Sequence, residues 1–178
     1  HAELFLETAC QLQAKDAQLQ FLVPAANTAC ESILRPLIAR RSLPVHLVAG
    51  QSQAVLAVSD AALVTAGTAT LEAALMRCPM VVAYRTGRIT GWLLSAMVKT
   101  PHVALPNLLA NTRLVPEYLQ EEATADALAQ ALLAQLERPR RTHLLTQFDH
   151  IHGALQMNCA KRVSAVLQEL AGSGRTYG

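Results

Sequence analysis

The sequence predicts an α/β fold in which a parallel β-sheet is flanked by helices. Short apolar runs alternate along the chain with longer segments in which apolar residues recur at helical spacing. The joints between these segments are short, which is the pattern of successive βαβ units. Hydrophobic residues make up 52% of the 178 residues, enough for one domain with a sizeable core.

Four apolar runs are expected to form the buried strands. Their near-continuous apolar character is typical of parallel strands that are covered on both faces. The first run ends close to Pro24 and the second is closed by Gly50. The expected strands cover 19–26, 45–50, 61–67 and 80–85, and a further extended piece, interrupted by Pro106, covers 102–109.

The helical segments are recognised by the spacing of their apolar residues and by their capping residues. Apolar residues from Leu4 to Leu12 recur at helical spacing in the first segment. Asn27 or Thr28 is a candidate N-cap for the second helix, and Thr124 is one for a later helix. Helices are expected at 2–14, 27–40, 52–60, 68–78, 90–99, 115–120, 124–137 and 141–171, with a frayed tail at 172–178.

Composition and charge argue against several classes of protein. A net charge of +2 is too small to predict nucleic-acid binding. No apolar run reaches the roughly 18 residues that a membrane-spanning helix needs. The four cysteines are widely spaced, without a CxxC pair or a zinc-type cluster with histidine, so we expect reduced thiols in a cytoplasmic protein.

The joint between the third strand and its helix is the strongest candidate binding site. Its residues are Thr65, Ala66, Gly67, Thr68, Ala69 and Thr70, followed on the helix by a single acid, Glu72. Ligands bind at the carboxyl ends of strands in open α/β sheets, and a helix start offers free N–H groups and the positive end of its dipole. The hydroxyls add donors and Gly67 permits close approach, so the joint suits a phosphate or diphosphate.

Glu72 can accept two hydrogen bonds from a diol such as ribose. The alternative is an ordinary helix start with Thr68 as the cap and Glu72 as a solvated acid.

Four further residues are candidates for ligand contacts, and Tyr84 and Arg85 among them lie at the same edge of the sheet as Gly67. Tyr84 and Arg85 follow the fourth strand, where Arg85 either binds a phosphate or is a surface charge. Asn107 either caps a turn or reaches a sugar hydroxyl. Gln120 lies three residues after Glu117 and can share a helix face with it, in an acidic segment that we expect to be mostly exposed. The histidines form no catalytic motif, so we expect them to be structural or exposed.

Three ordered blocks of the sequence resemble the C-terminal half of the lipid-A-disaccharide synthase family. The blocks are AGTATLE at 66–72, PMVVAYR at 79–85, and LPNLL at 105–109 with Pro116-Glu117 and Leu119-Gln120 after it. The resemblance extends over roughly residues 1–170 and is densest from 59 to 132. It implies a Rossmann-like domain with a helical C-terminal tail, as in the C-terminal half of a two-domain B-type glycosyltransferase.

The resemblance also implies an inverting transferase of the lipid A pathway of Gram-negative bacteria. The donor would be UDP-2,3-diacylglucosamine and the acceptor 2,3-diacylglucosamine 1-phosphate, with UDP released. Gly67 and the threonines would face the diphosphate, and Glu72 would accept from the ribose hydroxyls. The donor sugar or the cleft would be surrounded by Tyr84, Arg85, Asn107 and Gln120. No metal or cofactor is implied, because the helix dipole and the donor groups would stabilise the leaving UDP.

The acylated substrates imply a protein peripheral to the inner membrane. The best candidate for a membrane-contacting helix is 89–99, and ordinary core packing is its alternative. No nucleic acid is expected as a partner.

The chain departs from the family by lacking the acceptor-binding half. The Gly-Ser-Arg loop and its strand, expected just before residue 1, and the presumed catalytic Asp are also missing. His1 already lies within a helical pattern, so we expect a piece of a longer protein that is inactive alone. We expect a donor-binding domain at 1–138 and a helical segment at 139–178 that has lost its partner and can form a homodimer. The alternatives are a non-catalytic nucleotide-sugar-binding or assembly module, and a related UDP-sugar transferase with another acceptor.

Overall fold

The computed structural model describes residues 1–41, 43–85, 102–156 and 163–169, and it confirms an α/β fold with parallel strands flanked by helices. The strands are β1 (Phe21–Ala25), β2 (Val45–Ala49), β3 (Ala62–Thr65), β4 (Met80–Tyr84) and β5 (Glu117–Leu119). The helices are α1 (Ala2–Lys15), α2 (Thr28–Ala39), α3 (Ser52–Val58), α4 (Thr68–Leu75), α5 (Leu105–Ala110), α6 (Ala125–Gln135) and α7 (Arg138–Leu155), with a 3₁₀ turn at Gln120–Glu122. Residues 163–169 are also helical.

The strands form two parallel sheets, where the sequence predicts a parallel sheet that lacks its first strand. One sheet pairs β1 with β2, and the other has the order β3-β4-β5. Every strand pair is parallel, so the carboxyl ends of the strands within each sheet meet at one edge. Within the described residues, β1 and β3 each keep one edge without a strand partner.

Strand β4 divides the core into two layers. Successive side chains of a strand point to opposite faces, so Val81 and Ala83 enter one cluster while Met80 and Val82 enter the other. The first cluster is completed mainly by α1 and α6, and the second by α4 and α7. Four of the five β4 residues are buried, as the near-continuous apolar run predicts for a central parallel strand.

Helix α7 packs against the same core as the strands. Leu144, Phe148 and Ile151 are buried at successive turns of the helix. Ion pairs from Arg77 to Asp149 and from Arg141 to Asp60 lie beside this contact. The first part of the segment predicted as a separate helical tail is therefore packed on the strand-containing part of this chain.

Two local predictions were wrong. The segment expected to be extended contains helix α5, because Pro106 lies in its first turn, where its missing N–H costs no intrahelical bond. The segment expected to be helical from 115 to 120 contains strand β5, which is too short to show an alternating pattern. The helix expected at 90–99 and the tail at 172–178 lie outside the described residues.

The thiols that the structure describes are free, as expected. They belong to Cys10, Cys30 and Cys78. Burial raises the pKa of the Cys78 thiol to about 12, so this thiol stays protonated at neutral pH. None of the helices described has both the length and the apolar character needed to cross a bilayer.

Candidate functional site at the carboxyl edge of the sheet

The carboxyl ends of β3, β4 and β5 bring residues from all three sequence blocks, namely Gly67, Arg85 and Gln120, to one edge. In the parallel register, Thr65 lies opposite Ala83, and Tyr84 lies opposite Leu119. The residues that follow the strands therefore emerge at the same edge. Arg85 Nε donates a hydrogen bond to the backbone oxygen of Gln120 at 3.0 Å, so the ends of β4 and β5 are in direct contact.

Gly67 occupies a backbone conformation that other residues rarely adopt. Its φ is 128° and its ψ is −159°, and it is the N-cap of α4. Among the described residues, nothing lies within 4 Å of the place where a Cβ would be. Thr68 is the first helical residue and not the cap, which differs from the alternative considered for the sequence. Gly67 and Thr68 are exposed, and the first N–H groups of α4 have no intrahelical acceptor.

The hydroxyl residues of the joint differ in their accessibility. Thr68 is exposed and Thr65 is half-buried. Thr70 is fully buried, and its Oγ1 donates to the Gly67 oxygen at 2.7 Å and accepts from Leu105 N–H at 3.1 Å. The Thr70 side chain therefore holds the joint together from below, while Thr68 lies on its outer surface.

Glu72 is half-buried near a second strand–helix joint. Ser52 Oγ lies 3.5 Å from Glu72 Oε2 and donates to it. Ser52 is the first residue of α3, just past the carboxyl end of β2. Glu72 lies four positions after Thr68 on the helix, which places its Cα atom about 6 Å further along the helix axis.

A histidine that sequence reasoning left aside lies at the same edge. The His1 Nε2 atom accepts a hydrogen bond from the Arg85 N–H at 3.0 Å, and the imidazole ring lies 5.7 Å from the Tyr84 ring, centroid to centroid. His1 precedes α1 and lies 84 residues before Arg85 in the sequence. No spacing in the sequence signals this contact, because only the packing of α1 creates it.

Asn107 and Glu117 are buried beneath the edge. The Asn107 amide donates to the Val115 oxygen and accepts from the Val115 N–H, both at 2.9 Å. Glu117 was expected to be mostly exposed with its acidic neighbours, but its side chain is buried and accepts from backbone N–H groups. Both side chains thus bind the protein's own backbone. In the part of the chain that the structure describes, no three His, Cys, Asp or Glu side chains converge as metal ligands.

A sequence model of the family described as lipid-A-disaccharide synthetase matches residues 1–169. The chain belongs to the lipid-A-disaccharide synthetase family.

Curated members of this family support the assignment. The lipid-A-disaccharide synthase of Pseudomonas fluorescens strain Pf0-1 is 44% identical over 172 residues, which cover 97% of this chain and 45% of that protein. The synthase of Pseudomonas syringae pv. syringae is 44% identical over 169 residues, covering 95% and 44%. That of Thiobacillus denitrificans is 41% identical over 168 residues, covering 94% and 45%.

The chain spans less than half the length of these lipid-A-disaccharide synthases. The family match includes all three blocks quoted from the sequence. Gly67, Arg85 and Gln120 of these blocks follow the carboxyl ends of β3, β4 and β5, while LPNLL lies in α5, where Asn107 bonds to Val115 before β5 begins. The residues at this edge, Gly67, Arg85 and Gln120, therefore all lie within the part of the chain that matches the synthetase family.

Proposed function

We propose that this chain is the donor-binding part of a UDP-sugar-dependent inverting glycosyltransferase of lipid A biosynthesis. The donor is UDP-2,3-diacylglucosamine, the acceptor is 2,3-diacylglucosamine 1-phosphate, and the products are lipid A disaccharide and UDP. The observation that carries this proposal is the open Gly67 joint at the carboxyl edge of a parallel sheet, in a chain of the lipid-A-disaccharide synthetase family.

The diphosphate of UDP binds at the Gly67 joint in this proposal. The space beside Gly67 lets a phosphate approach the backbone, and the N–H groups of Thr68 and Ala69 point out of the first turn of α4. The Thr68 hydroxyl and the half-buried Thr65 lie at the same joint. These neutral donors and the helix dipole stabilise the negative charge that develops on UDP as it leaves.

Glu72 accepts hydrogen bonds from the two ribose hydroxyls. Its offset of about 6 Å from the start of the helix suits a group one sugar away from the diphosphate. The weak 3.5 Å contact with Ser52 leaves room for a stronger pair of bonds to a diol. The carboxylate acts as an acceptor and not as a proton carrier.

The donor sugar lies beside the ends of β4 and β5. Arg85 is exposed there and reaches the Gln120 backbone, with Tyr84 half-buried next to it. Asn107 acts indirectly. Its side-chain amide forms hydrogen bonds with the Val115 backbone, so it supports the turn and does not contact the sugar.

The unpaired edges of β1 and β3 favour a role as part of a larger unit. The two sheets match the doubly wound order 3-2-1-4-5-6 if β2-β1 are its strands 3-2 and β3-β4-β5 its strands 4-5-6, which leaves strand 1 to be supplied between β1 and β3. We propose that a strand from a longer protein completes the sheet and that an acceptor domain supplies the general base. This chain alone would then show no transferase turnover, and a longer form that restored both would show it.

The acylated substrates bring the complete enzyme to the cytoplasmic surface of the inner membrane in this proposal. Residues 89–99, the candidate membrane-contacting segment, lie outside the described residues. A homodimer through the C-terminal helical segment is part of the same proposal, and sedimentation of the intact protein measures it.

Calorimetric titration of the intact protein tests the nucleotide assignment. UDP is expected to bind more tightly than uridine or phosphate. Glu72→Gln should weaken UDP binding by roughly tenfold or more, because each hydrogen bond to a charged group contributes about 1.5–3 kcal/mol. The same variant should leave binding of 2′,3′-dideoxy-UDP unchanged, since that ligand lacks both hydroxyls.

Glu7→Gln is the matched control, because Glu7 is exposed on α1. It should change neither affinity. Equal losses for UDP and dideoxy-UDP in Glu72→Gln would contradict the ribose assignment. Equal affinity of the unmodified protein for UDP and inorganic phosphate would contradict the proposed function as a whole.

A further inference from the structure

Glu117 holds the segment that leads into α5. Its side chain is buried, and its Oε1 accepts from the N–H of Val103 at 3.0 Å and of Ala104 at 2.6 Å. A buried carboxylate is costly unless polar partners compensate for its lost hydration. Here two N–H groups bond to Oε1, and His102 Nδ1 lies 3.7 Å from Oε2. Strand β5 and residues 103–104 are thereby joined at a defined separation.

Thr70 joins the next residue of that segment to the Gly67 turn. Its hydroxyl accepts from Leu105 N–H at 3.1 Å and gives its only proton to the Gly67 oxygen at 2.7 Å. The residue is fully buried, so its hydroxyl is not directed at solvent. Thr70 therefore differs in role from exposed Thr68, although the sequence presents them as equivalent donors.

Asn107 joins helix α5 to the residues just before β5. Its amide makes two hydrogen bonds to the backbone of Val115, which lies two residues before Glu117. Residues 103–107 are consequently held by three buried polar side chains. Hydrogen bonds in such a low-dielectric environment reinforce one another, so the segment forms a stiff connection from β5 to the Gly67 turn.

We propose that Glu117 and Thr70 are positioning residues that hold Gly67 in its ligand-binding conformation without touching the ligand. The Thr70 bond restrains the Gly67 carbonyl and hence the direction of the N–H groups that follow it. Glu117 restrains the segment that supplies the second bond of Thr70. This inference rests on the proposed function, because it assigns the turn to the diphosphate.

A merely structural role predicts a different result from a positioning role. A variant that only loses stability has a lower midpoint of thermal unfolding. Its affinities for uridine and UDP then change by the same factor or not at all. Loss of positioning at Gly67 lowers affinity only for ligands that carry the diphosphate. The ratio of the dissociation constants of uridine and UDP therefore separates the two roles.

Thr70→Val in the intact protein is the principal test, because valine keeps the shape and removes both hydrogen bonds. The uridine-to-UDP ratio should fall about tenfold, corresponding to roughly 1.4 kcal/mol, while uridine affinity stays within about twofold. Thr70→Ser restores the hydroxyl and should restore the ratio. Glu117→Gln keeps an acceptor oxygen and removes the charge, so it should lower the ratio severalfold.

Thr8→Val is the matched control. Thr8 is also fully buried, but its hydroxyl bonds to Leu4 within α1. This variant should leave the ratio unchanged even where it lowers the unfolding midpoint. An unchanged ratio in both Thr70→Val and Glu117→Gln, with UDP still preferred by the unmodified protein, overturns the positioning role alone. Absence of any UDP preference in the unmodified protein overturns the proposed function, and the positioning role with it.

Discussion

The β3-β4-β5 sheet and the β1-β2 sheet are both parallel, yet they are buried to different extents. Residues Met80 to Ala83 of β4 are completely buried, whereas Ala25 is the one buried residue of β1 and β2. The first sheet is covered by helices on both faces, while α2, which packs on the second, has no buried residue. Because burial of apolar surface drives folding, we infer that the half carrying the Gly67 joint contributes most of the stability.

The largest expected difference between the halves comes from Phe148→Ala. Phe148 in α7 is 1% exposed, and its truncation should lower the free energy of unfolding by about 3–5 kcal/mol through lost burial and a cavity. The control is Ile33→Ala in α2, which is 63% exposed and should change stability by less than about 0.5 kcal/mol. Denaturant titration measures both. Similar losses in the two variants would contradict the contrast.

A matched pair of valines compares the strands themselves. Val82 in β4 is fully buried and Val48 in β2 is half-buried. Val82→Ala should lower the free energy of unfolding by about 2 kcal/mol, because it removes the equivalent of two methylene groups from a closed core. Val48→Ala should lower it by roughly half of that. The midpoints of denaturant unfolding report the difference. An equal cost would indicate that the β1-β2 sheet is covered by a partner in the protein tested.

Gly67 and Gly153 should respond to substitution by alanine with opposite signs. Gly67→Ala should lower the free energy of unfolding by about 1–3 kcal/mol, because of backbone strain and not of steric contact. Gly153→Ala in α7 should raise it by roughly 0.5–1 kcal/mol, because helix interiors disfavour glycine. Thermal unfolding checks both signs. UDP binding should weaken only in Gly67→Ala, and a stable Gly67→Ala protein with unchanged UDP affinity would count against the proposed site.

The smallest expected effects belong to two surface ion pairs, one within the half that carries the Gly67 joint and one between the two halves. Arg77–Asp149 joins the end of α4 to α7, and Arg41–Glu3 joins the end of α2 to α1. Double-mutant cycles should give about 0.2–1 kcal/mol for each pair, because solvent and salt screen partly exposed charges. Coupling well above that range in Arg41–Glu3 would show that electrostatics, and not burial alone, holds α2 against the half that carries the Gly67 joint.

The candidate site shows which features a sequence can reveal. The Gly67 joint was predictable, because an apolar strand, a glycine and a helix start are neighbours along the chain and their geometry is local. Arg85 could be placed at the same edge once the strands were taken as parallel, whereas Gln120 could not, because strand β5 before it was predicted as a helix. His1 could not be placed there, since its contact with Arg85 depends on the packing of α1.

Strand β5 and helix α5 show the opposite case. Their sequences are too short for a period to decide between helix and strand, so both predictions failed. Their conformations are held by buried hydrogen bonds between residues that are distant along the chain, such as Glu117 with Val103 and Thr70 with Leu105. A charged glutamate is normally exposed, and only these partners make its burial favourable.

By itself, the sequence determined the alternation of strands and helices, the parallel arrangement, the family resemblance and the glycine turn. Each of these follows from local apolar patterning or from the steric freedom of one residue. The tertiary structure alone decided that Thr70, Asn107 and Glu117 lie beneath the site while Thr68 lies on its surface. The physical reason is that the role of a polar side chain depends on whether buried backbone groups or water satisfy its hydrogen bonds, and that is set by contacts between distant segments.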